Sequence, residues 1–456
     1  MSSLLGSLPS EIILNIIPHL SVHDLFALCL TCKTTQALAE PLLWNDIELH
    51  QERFHGPSRY QAIPPSYRPA SERVYHRTSP EEYLADYVTE LKAEALFKGL
   101  HETRVRDGDR LRTLTAHIRH LCTPVVPFRE PCLNAHGVDA MLPVWQLLPF
   151  FTKLETLELQ ASYYLNDEDE KFVPEITAPP LPNLRYVKLF GNIPRAVVRW
   201  ILRSGATIEC LELGLLDRPI SSQPHDDPAF SPLASENLAE DDDDASDYGS
   251  LIAECLVPRP LGDFLPPEGV VLPKLRHLYL GQPSDNNSLY SQYVLTYSSR
   301  AEVFSLTSWV AILQASRQTL ETLVLEQRPA AAITTPFSAT SVEYVETNME
   351  GVGSELLMEA IGIVIKDQRA PFAALNKVYL YGVAVNHDFT REVGQILPGE
   401  KFMSVLKVMN IKCEARMGRW CPFDHYGGKG IDERPAEWTM DVPEEDIGWD
   451  YLLGEV

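Results

Sequence analysis

The stretch Lys153-Leu154-Glu155-Thr156-Leu157-Glu158-Leu159 decides the predicted fold, because the chain returns to it further along. Residues 319–325 read Thr-Leu-Glu-Thr-Leu-Val-Leu and share five of these seven residues. Residues 181–189 and 272–280 are a second pair of copies, with five of nine residues in common. All four copies contain the pattern apolar-x-x-apolar-x-apolar, whose last two positions alternate like the buried face of a strand. The stretch therefore predicts a strand that recurs along the chain.

Helical segments separate the recurring strands. Further copies of the pattern start at Ile208, Leu375 and Leu406, with a partial copy at Ile118. Four segments are apolar on one side at helical spacing, namely 142–150, 196–202, 308–315 and 355–365. One helix and one strand cannot bury their apolar faces alone, so neighbouring units must stack around a shared core. The predicted fold class is α/β, with alternating helices and parallel strands.

The first fifty residues predict three short helices, of which the first two have clear signals. Pro9 suits the first turn of a helix, and Pro18 disfavours continuation of that helix beyond Ile17. Ser21 followed by Asp24 resembles a capping box. It opens a second helix that is apolar on more than one side.

The third helix is expected to be capped by Thr34 or Thr35 and to end at Pro41. The three helices together carry more apolar side chains than such short helices could bury among themselves. A further surface is therefore needed to cover them.

This N-terminal stretch resembles an F-box, the helical module that docks the receptors of cullin-RING ubiquitin ligases onto a small Skp-type adaptor. The resemblance covers residues 5–49 and follows Leu8-Pro9-x-Glu11-Ile12, Asp24-Leu25 and Pro41-x-x-Trp44 in order and without gaps. It implies a receptor of the fungal type that binds the adaptor and, through it, a cullin scaffold. The residues that it assigns to adaptor binding are Leu8, Pro9, Ile12, Ile13, Ile16, Leu20, Leu25, Leu28, Pro41 and Trp44. An ordinary helical N-terminus packed onto its own domain is the alternative.

The recurring units resemble the irregular leucine-rich repeats that follow many F-boxes, which implies a solenoid. Successive copies start 30 and 24 residues apart and, later in the chain, 45, 55 and 31 apart. Most of these spacings exceed the 20 to 29 residues of regular repeats. A plain parallel sheet is the alternative, because a chain of this length matches the bare pattern about seven times by chance.

In such a solenoid the residues between the inward leucines face an open concave surface. Aromatic residues beside a few cations are typical of a protein-binding surface. The predicted substrate-binding residues are Tyr186, Lys188, Phe190, His277, Tyr279, Lys377, Tyr379 and Tyr381. Coverage of these aromatic side chains by loops or by the C-terminal tail is the alternative.

The domain boundaries follow from changes in composition. Residues 217–262 include a run of Glu and Asp at 240–244 and predict a disordered acidic insertion. The predicted parts are an F-box at 1–50, a loop and bridging helix at 51–110, the solenoid at 111–412, and an acidic, Trp-containing tail or cap at 413–456.

Composition excludes several classes of function. The formal net charge of −24 argues against a nucleic-acid partner, because such affinity depends largely on Lys and Arg. No apolar run is long enough for a membrane span, and the first residues lack a secretory signal, so we expect a cytoplasmic or nuclear protein. The eight cysteines are spread along the chain, as is typical of reduced thiols.

Metal and catalytic motifs are weak or missing in the sequence. Cys29-x-x-Cys32 has no second pair nearby, and Cys413, Cys421 and His425 have no zinc-like spacing. No phosphate-binding loop, His-Glu-x-x-His or Gly-x-Ser-x-Gly motif occurs. We expect no cofactor, no metal and no catalytic residue.

The predicted function is that of a non-catalytic substrate-recognition subunit of an SCF-type ubiquitin ligase. The F-box would bind the adaptor, and the repeat domain would bind the protein to be ubiquitinated. The alternatives are an adaptor-bound scaffold that does not lead to degradation and an uncharacterised enzyme of α/β architecture.

Overall fold

A computed structural model describes residues 15–49, 80–125, 128–130, 140–142, 144–161, 176–191, 193–221, 256–283, 299–328, 352–381, 398–416 and 454–455. Its helices are α1 (Val22–Cys29), α2 (Lys33–Leu43), α3 (Pro80–Arg106), α4 (Gly108–Thr115), α5 (Arg195–Leu202), α6 (Ser299–Ser316), α7 (Val352–Lys366) and α8 (Pro398–Val408). Short 3₁₀ turns lie at Ile17–His19, Val144–Gln146 and Leu148–Phe150.

The strands are β1 (Asp46–Glu48), β2 (His120–Val125), β3 (Phe128–Glu130), β4 (Ala140–Leu142), β5 (Thr156–Ala161), β6 (Tyr186–Gly191), β7 (Cys210–Ser221), β8 (Leu256–Pro260), β9 (His277–Pro283), β10 (Thr322–Arg328), β11 (Lys377–Tyr381), β12 (Lys412–Arg416) and β13 (Gly454–Glu455). The fold is α/β, with helices at the N-terminus followed by a large, mainly parallel sheet.

Neighbours along the chain are neighbours in the sheet. The order is β1-β2-β5-β6-β7-β9-β10-β11-β12-β13, and each pair from β1 to β12 in this order is parallel. β8 pairs antiparallel with the end of β7, β13 pairs antiparallel with β12, and β3 and β4 form a separate hairpin. The strand order therefore runs in one direction from one edge to the other across the described strands.

Two buried rows run across the sheet and hold it to the helices. In the first row the aligned residues are Ile47, Leu121, Leu157, Val187, Leu211, Leu278, Leu323, Val378 and Cys413. The second row lies two residues further along each strand and includes Leu159, Leu189, Leu213, Leu280, Leu325 and Leu380. Helix residues such as Trp200, Ile312 and Ile361 complete the same core. Burial of these side chains at about 25 cal/mol per Å² is the main source of stability for the sheet.

The last copy of the repeating pattern was placed wrongly from the sequence. Leu406 is in α8 and Met409 is in the turn after it, and neither is in a strand. The residue aligned with Val378 is Cys413, so the last strand begins about four residues later than the pattern predicted. Burial on one side of a helix had been mistaken for a strand, since short apolar runs do not distinguish the two.

Three further predictions need correction. The range 142–150, predicted as one helix, instead contains the last residue of β4 and two 3₁₀ turns at Val144–Gln146 and Leu148–Phe150. The predicted range of the acidic insertion, 217–262, is too long at both ends, because 217–221 belong to β7 and 256–260 form its partner β8. Residues 222–255 lie outside the described part. The predicted boundary between solenoid and tail at 412/413 falls inside a strand, because β12 extends the sheet to residue 416. Gly454 and Glu455, which were assigned to the tail, pair with β12.

The end of β6 requires a glycine. Gly191 has a φ of 80°, a backbone conformation that residues other than glycine rarely adopt. A Cβ atom at this position would lie 1.9 Å from the carbonyl oxygen of Ala161 on the neighbouring strand. The close approach of the two strands therefore depends on the missing side chain.

We predict that Gly191→Ala destabilises the protein by about 1–3 kcal/mol from the backbone conformation alone, with the clash against Ala161 added to it. Gly108→Ala is the matched control, because a Cβ atom there meets nothing within 4 Å. Thermal unfolding of both variants measures the effect, and equal midpoints for the two would contradict it.

Candidate functional site

The N-terminal module has a small core of its own. Ile17, Leu25 and Ala39 are buried together, one from each of the module's three helical segments. The residues packed against them are Leu20, Leu28, Cys29, Leu38 and Leu43. This cluster is separate from the large core beneath the sheet. The module is therefore stabilised mainly from inside.

Local hydrogen bonds define the ends of its helices. The Ser21 hydroxyl oxygen accepts the backbone N–H of Asp24 and its hydroxyl donates to the Asp24 carboxylate, at 3.2 and 2.6 Å. The second bond lowers the pKa of Asp24. The expected cap of α1 is therefore present.

The two ends of α2 differ from the prediction. Its N-cap is Cys32 and makes no side-chain capping bond, so neither Thr34 nor Thr35 is the cap. Thr35 instead is buried inside the helix, and its hydroxyl donates to the carbonyl of Leu28 at 2.9 Å. Pro41 lies within the helix, which continues to Leu43, because the N-terminal module supplies enough packing to offset one missing hydrogen bond.

One side of α1 presents an apolar stripe to solvent. Val22, Phe26 and Leu30 follow one another at intervals of four residues, and they are 68, 53 and 72% exposed. Residues at this spacing lie on one face of a helix. Ile16 and Leu42 add two more exposed apolar side chains on the neighbouring segments. Contiguous exposed apolar side chains of this size mark an interaction surface more often than chance.

The residues predicted to bind an adaptor have different positions in the structure. Ile16 is exposed, Leu20 and Leu28 are half-buried in the module, and Leu25 is buried at 7% exposure. Pro41 is half-buried, and Trp44 packs against the large core beneath the sheet. Leu8, Pro9, Ile12 and Ile13 lie outside the described residues.

Sequence reasoning missed the exposed stripe as a unit. The available signal was that α1 is apolar on more than one side, while only one side is needed to seat Leu25. The remaining apolar residues, Val22, Phe26 and Leu30, then had to face outward.

A tight joint connects the module to the sheet. Trp44, Ile47 and Leu49 pack against the large core. β1 pairs in parallel with β2, and the Leu49 N–H donates to the carbonyl of Cys122 at 2.9 Å. The first strand of the sheet therefore begins directly after the last helix of the module.

An ion pair closes the same joint on the helix side. The two terminal guanidinium nitrogens of Arg110, in α4, donate to the Glu40 carboxylate in α2, Nη1 at 2.9 Å. The Glu40 side chain is only 16% exposed. The Arg110 bonds lower the pKa of Glu40, and the Glu40 bonds raise that of Arg110. The pair favours one orientation of α2 against α4.

We predict a pH-dependent loss when Arg110→Gln removes this pair. A carboxyl whose folded pKa is lowered stabilises the fold above its unfolded pKa, about 4.3, and loses that contribution as the pH falls through the folded pKa. The free energy of unfolding of the variant should therefore differ most from wild type at pH above about 5, and the difference should shrink as the pH falls below about 4.3 and through the lowered folded pKa of Glu40.

Arg112→Gln is the matched control, because Arg112 pairs with the almost fully exposed Asp109 of its own helix. Urea unfolding at several pH values checks the prediction. A difference for Arg110→Gln that stays constant with pH would show that Glu40 is not the partner that matters.

The face of the sheet turned away from the helices carries the predicted substrate residues. Phe190, Tyr279, Val324 and Tyr379 form a second apolar cluster there. The Tyr279 hydroxyl donates to the Glu326 carboxylate at 2.5 Å. The tyrosine side chain lies against Gly281, where an added Cβ atom would be 2.9 Å from the Tyr279 hydroxyl oxygen.

Charged side chains border this cluster. Lys188 forms an ion pair with Glu158 at 3.0 Å and lies over the Phe190 ring, while Lys377 lies 4.4 Å from the centre of the Tyr379 ring. Cation–π contacts of this kind hold the lysine heads beside the apolar cluster.

Burial divides the predicted substrate residues into two groups. Phe190, Tyr279 and Tyr379 are buried, so they support the face and do not offer an open surface. The partly exposed residues are Tyr186, Lys188, His277 and Lys377, and the side chain of Tyr381 lies outside the described part. Burial lowers the pKa of His277, which favours its neutral form. The one-dimensional pattern did not show this burial, because it depends on packing across strands: the ring centres of Phe190 and Tyr279 lie 5.6 Å apart although β7 separates their strands, and Val324 lies between Tyr279 and Tyr379.

Metal ligands are not grouped in the part of the chain that the structure describes, where no three His, Cys, Asp or Glu side chains could hold an ion together. Cys413 is buried in the sheet core, and Cys421 and His425 lie outside the described residues. Among the same described residues, no helix has the length and apolar composition that crossing a membrane requires.

Comparison with known proteins identifies the N-terminal module. Residues 5–50 match the family model described as F-box-like. A search of the curated proteins found no match to the chain. The matched segment contains α1, α2, the exposed stripe and the first strand of the sheet. The chain therefore carries an F-box-like domain at its N-terminus.

Proposed function

We propose that the chain is the substrate-recognition subunit of an SCF-type ubiquitin ligase. The F-box-like domain binds a Skp-type adaptor, which joins it to a cullin scaffold, and the sheet domain binds the protein to be ubiquitinated. The observation that carries the proposal is the coincidence of the F-box-like match with an apolar stripe that its own chain leaves exposed. A receptor of the fungal type stays a prediction.

The stripe has the chemistry of a docking site. Val22, Phe26 and Leu30 are large apolar residues with more than half of their surface exposed. Full burial of such a side chain contributes about 1.5–3 kcal/mol, and a central aromatic residue is often the largest contributor in an interface. Phe26 is the middle residue of the three, so we assign it the central contact with the adaptor.

We predict that Phe26→Ala weakens adaptor binding by more than about tenfold while the chain stays folded, because the ring is removed from the interface and not from the core. Leu8→Ala combined with Pro9→Ala should abolish co-purification with the adaptor. Binding is measured by calorimetry with the purified adaptor, and thermal unfolding reports the fold.

Two variants calibrate this experiment. Val105→Ala removes an even more exposed apolar side chain (86%) from α3, outside the F-box-like domain, and should leave adaptor binding unchanged. Leu25→Ala removes a buried side chain and should lower the unfolding midpoint. Unchanged affinity for Phe26→Ala would count against the docking site on α1.

The sheet domain is proposed to be a solenoid of leucine-rich-repeat type. Its support is the strand order, which follows the chain without reversal, together with the two apolar rows shared by successive strands. A doubly wound sheet would reverse its order near the middle. Helices α5 to α8 each connect one parallel strand to the next, as a stack of repeated units requires.

No catalytic group is needed for this role. A receptor that holds its substrate near the ubiquitin-transferring subunits accelerates the reaction through effective concentration. The joint at Trp44, β1 and the Glu40–Arg110 pair supports such a role, because it holds the docking module and the sheet in one orientation.

The partly exposed residues of the outer sheet face are the proposed substrate contacts. We predict that Tyr186→Ala combined with Lys377→Ala reduces the recovery of ubiquitinated partner proteins several-fold without changing adaptor binding or stability. Tyr279→Ala is unsuitable as a probe, because the buried ring supports the sheet and its loss costs about 3–5 kcal/mol.

Quantitative mass spectrometry of proteins captured with and without proteasome inhibition measures this effect. An unchanged partner profile for the double variant would place the substrate contact elsewhere. Captured partners that do not accumulate on proteasome inhibition would favour a scaffold without a degradative role.

A further inference from the structure

A charged position recurs directly before the strands of the sheet. We call it the lead-in position and define it as the residue that immediately precedes the first residue of a strand. Across the parallel sheet, in strand order, these residues are Asn45, Arg119, Glu155, Arg185, Glu209, Arg276, Glu321, Asn376 and Ile411. Six consecutive lead-in residues, from Arg119 to Glu321, are charged and alternate in sign, and an asparagine stands on each side of these six.

The backbone of these residues forms a continuous hydrogen-bonded row. The carbonyl of each lead-in residue from Asn45 to Glu321 accepts two N–H groups from the next strand, those of its lead-in residue and of its first strand residue, at 2.8–3.3 Å. The row starts at the joint with the F-box-like domain and crosses to β11. Its side chains are therefore held next to one another by the backbone.

The alternating charges are paired across strands. Arg119 donates to Glu155 at 3.0 Å. The other two pairs are bidentate, with Arg185 on Glu209 at 2.9 and 2.9 Å and Arg276 on Glu321 at 2.7 and 3.0 Å. Bidentate guanidinium–carboxylate pairs are the most directional of the common ion pairs.

Each pair also acts on its neighbour in the row. Glu209 is the main cause of the raised pKa of Arg185, and Glu155, on the other side of Arg185, makes a smaller contribution. The pKa of Arg276 is raised chiefly by Glu321 and, to a smaller extent, by Glu209. The backbone row also places the three pairs side by side, so neighbouring pairs are close enough to interact.

Chance does not explain this series. Charged residues make up 22% of the chain. Six successive charged residues of strictly alternating sign at one fixed position would then occur with a probability on the order of 10⁻⁵ or lower.

The two apolar rows alone do not specify which strands are neighbours or in which register they pair. Leucine follows leucine in both rows, so a strand displaced by two residues would still point apolar side chains inward. Omitting one strand from the order would also leave the rows intact. In the charged series, by contrast, omission of any of the four interior members places two like charges side by side, and a displacement separates each arginine from its carboxylate.

We propose that the six charged lead-in residues form a single ladder that specifies the order and register of the strands between the F-box-like domain and β11. The ladder acts by disfavouring wrong neighbours as much as by stabilising the correct ones. Each pair is partly exposed, so its own contribution to stability is small. The proposal is independent of any ligase role.

Swapping the middle pair separates a ladder from three isolated pairs. Arg185→Glu combined with Glu209→Arg restores the pair itself, but it sets a carboxylate against Glu155 and a guanidinium against Arg276. A ladder predicts a lower unfolding midpoint, by about 2–4 °C at low salt. Isolated pairs predict the wild-type midpoint. In about 1 M NaCl, where charges are screened beyond about 3 Å, the loss should shrink.

Inversion of all six residues is the decisive variant. Arg119→Glu, Glu155→Arg, Arg185→Glu, Glu209→Arg, Arg276→Glu and Glu321→Arg together recover the alternation, so the full-length chain should regain at least half of the loss seen with the middle swap. Swapping only Arg276 and Glu321 creates one unfavourable contact, so it should lower the unfolding midpoint about half as much as the middle swap. This variant still tests the ladder if the middle swap fails to fold.

The matched control is the swap Arg203→Glu with Glu268→Arg, an ion pair of 3.2 Å outside the ladder. It should leave the midpoint at the wild-type value. A middle swap as stable as wild type, or a full inversion no more stable than the middle swap, would overturn the proposal.

Discussion

Parallel pairing of strands above two buried apolar rows is the constraint on which the whole structure depends. The leucines of the repeated stretches occupy equivalent positions on successive strands, and helices α5 to α8 cover them from one side. Because one strand and one helix cannot bury this surface alone, each unit is stable only against the next one. The strands therefore stack in order, and the two edge strands of the described sheet each lack a neighbouring unit on one side.

The F-box-like domain supplies the start of that series. Its last helix leads directly into β1, and the partly buried Trp44 packs against the sheet core and is not part of the module's own cluster. The F-box-like domain is thus joined directly to the first strand of the stack. Because β1 is an edge strand of the described sheet, the F-box-like domain lies beside that edge.

Much of this organisation could be predicted from local patterns. The near-identical copies around Leu157 and Leu323 predicted parallel strands, and Ser21 with Asp24 predicted the start of α1. The failures have a common cause. Pro41 inside α2, Thr35 as a buried hydrogen-bonding residue and Cys413 in place of Met409 all depend on contacts with other helices or strands of the fold. The roles predicted for the outer sheet face and for Leu8 and Pro9 stay predictions.

The sequence by itself determined the class of the fold, the N-terminal module and the apolar rows, because these depend on residue type and on spacing within one segment. Tertiary structure alone decided which apolar residues of the module are exposed, which tyrosines of the sheet are buried, and how six charged residues from six strands meet. The physical reason is that burial and ion pairing depend on the neighbouring strand or helix. In a parallel sheet that neighbour lies tens of residues away along the chain.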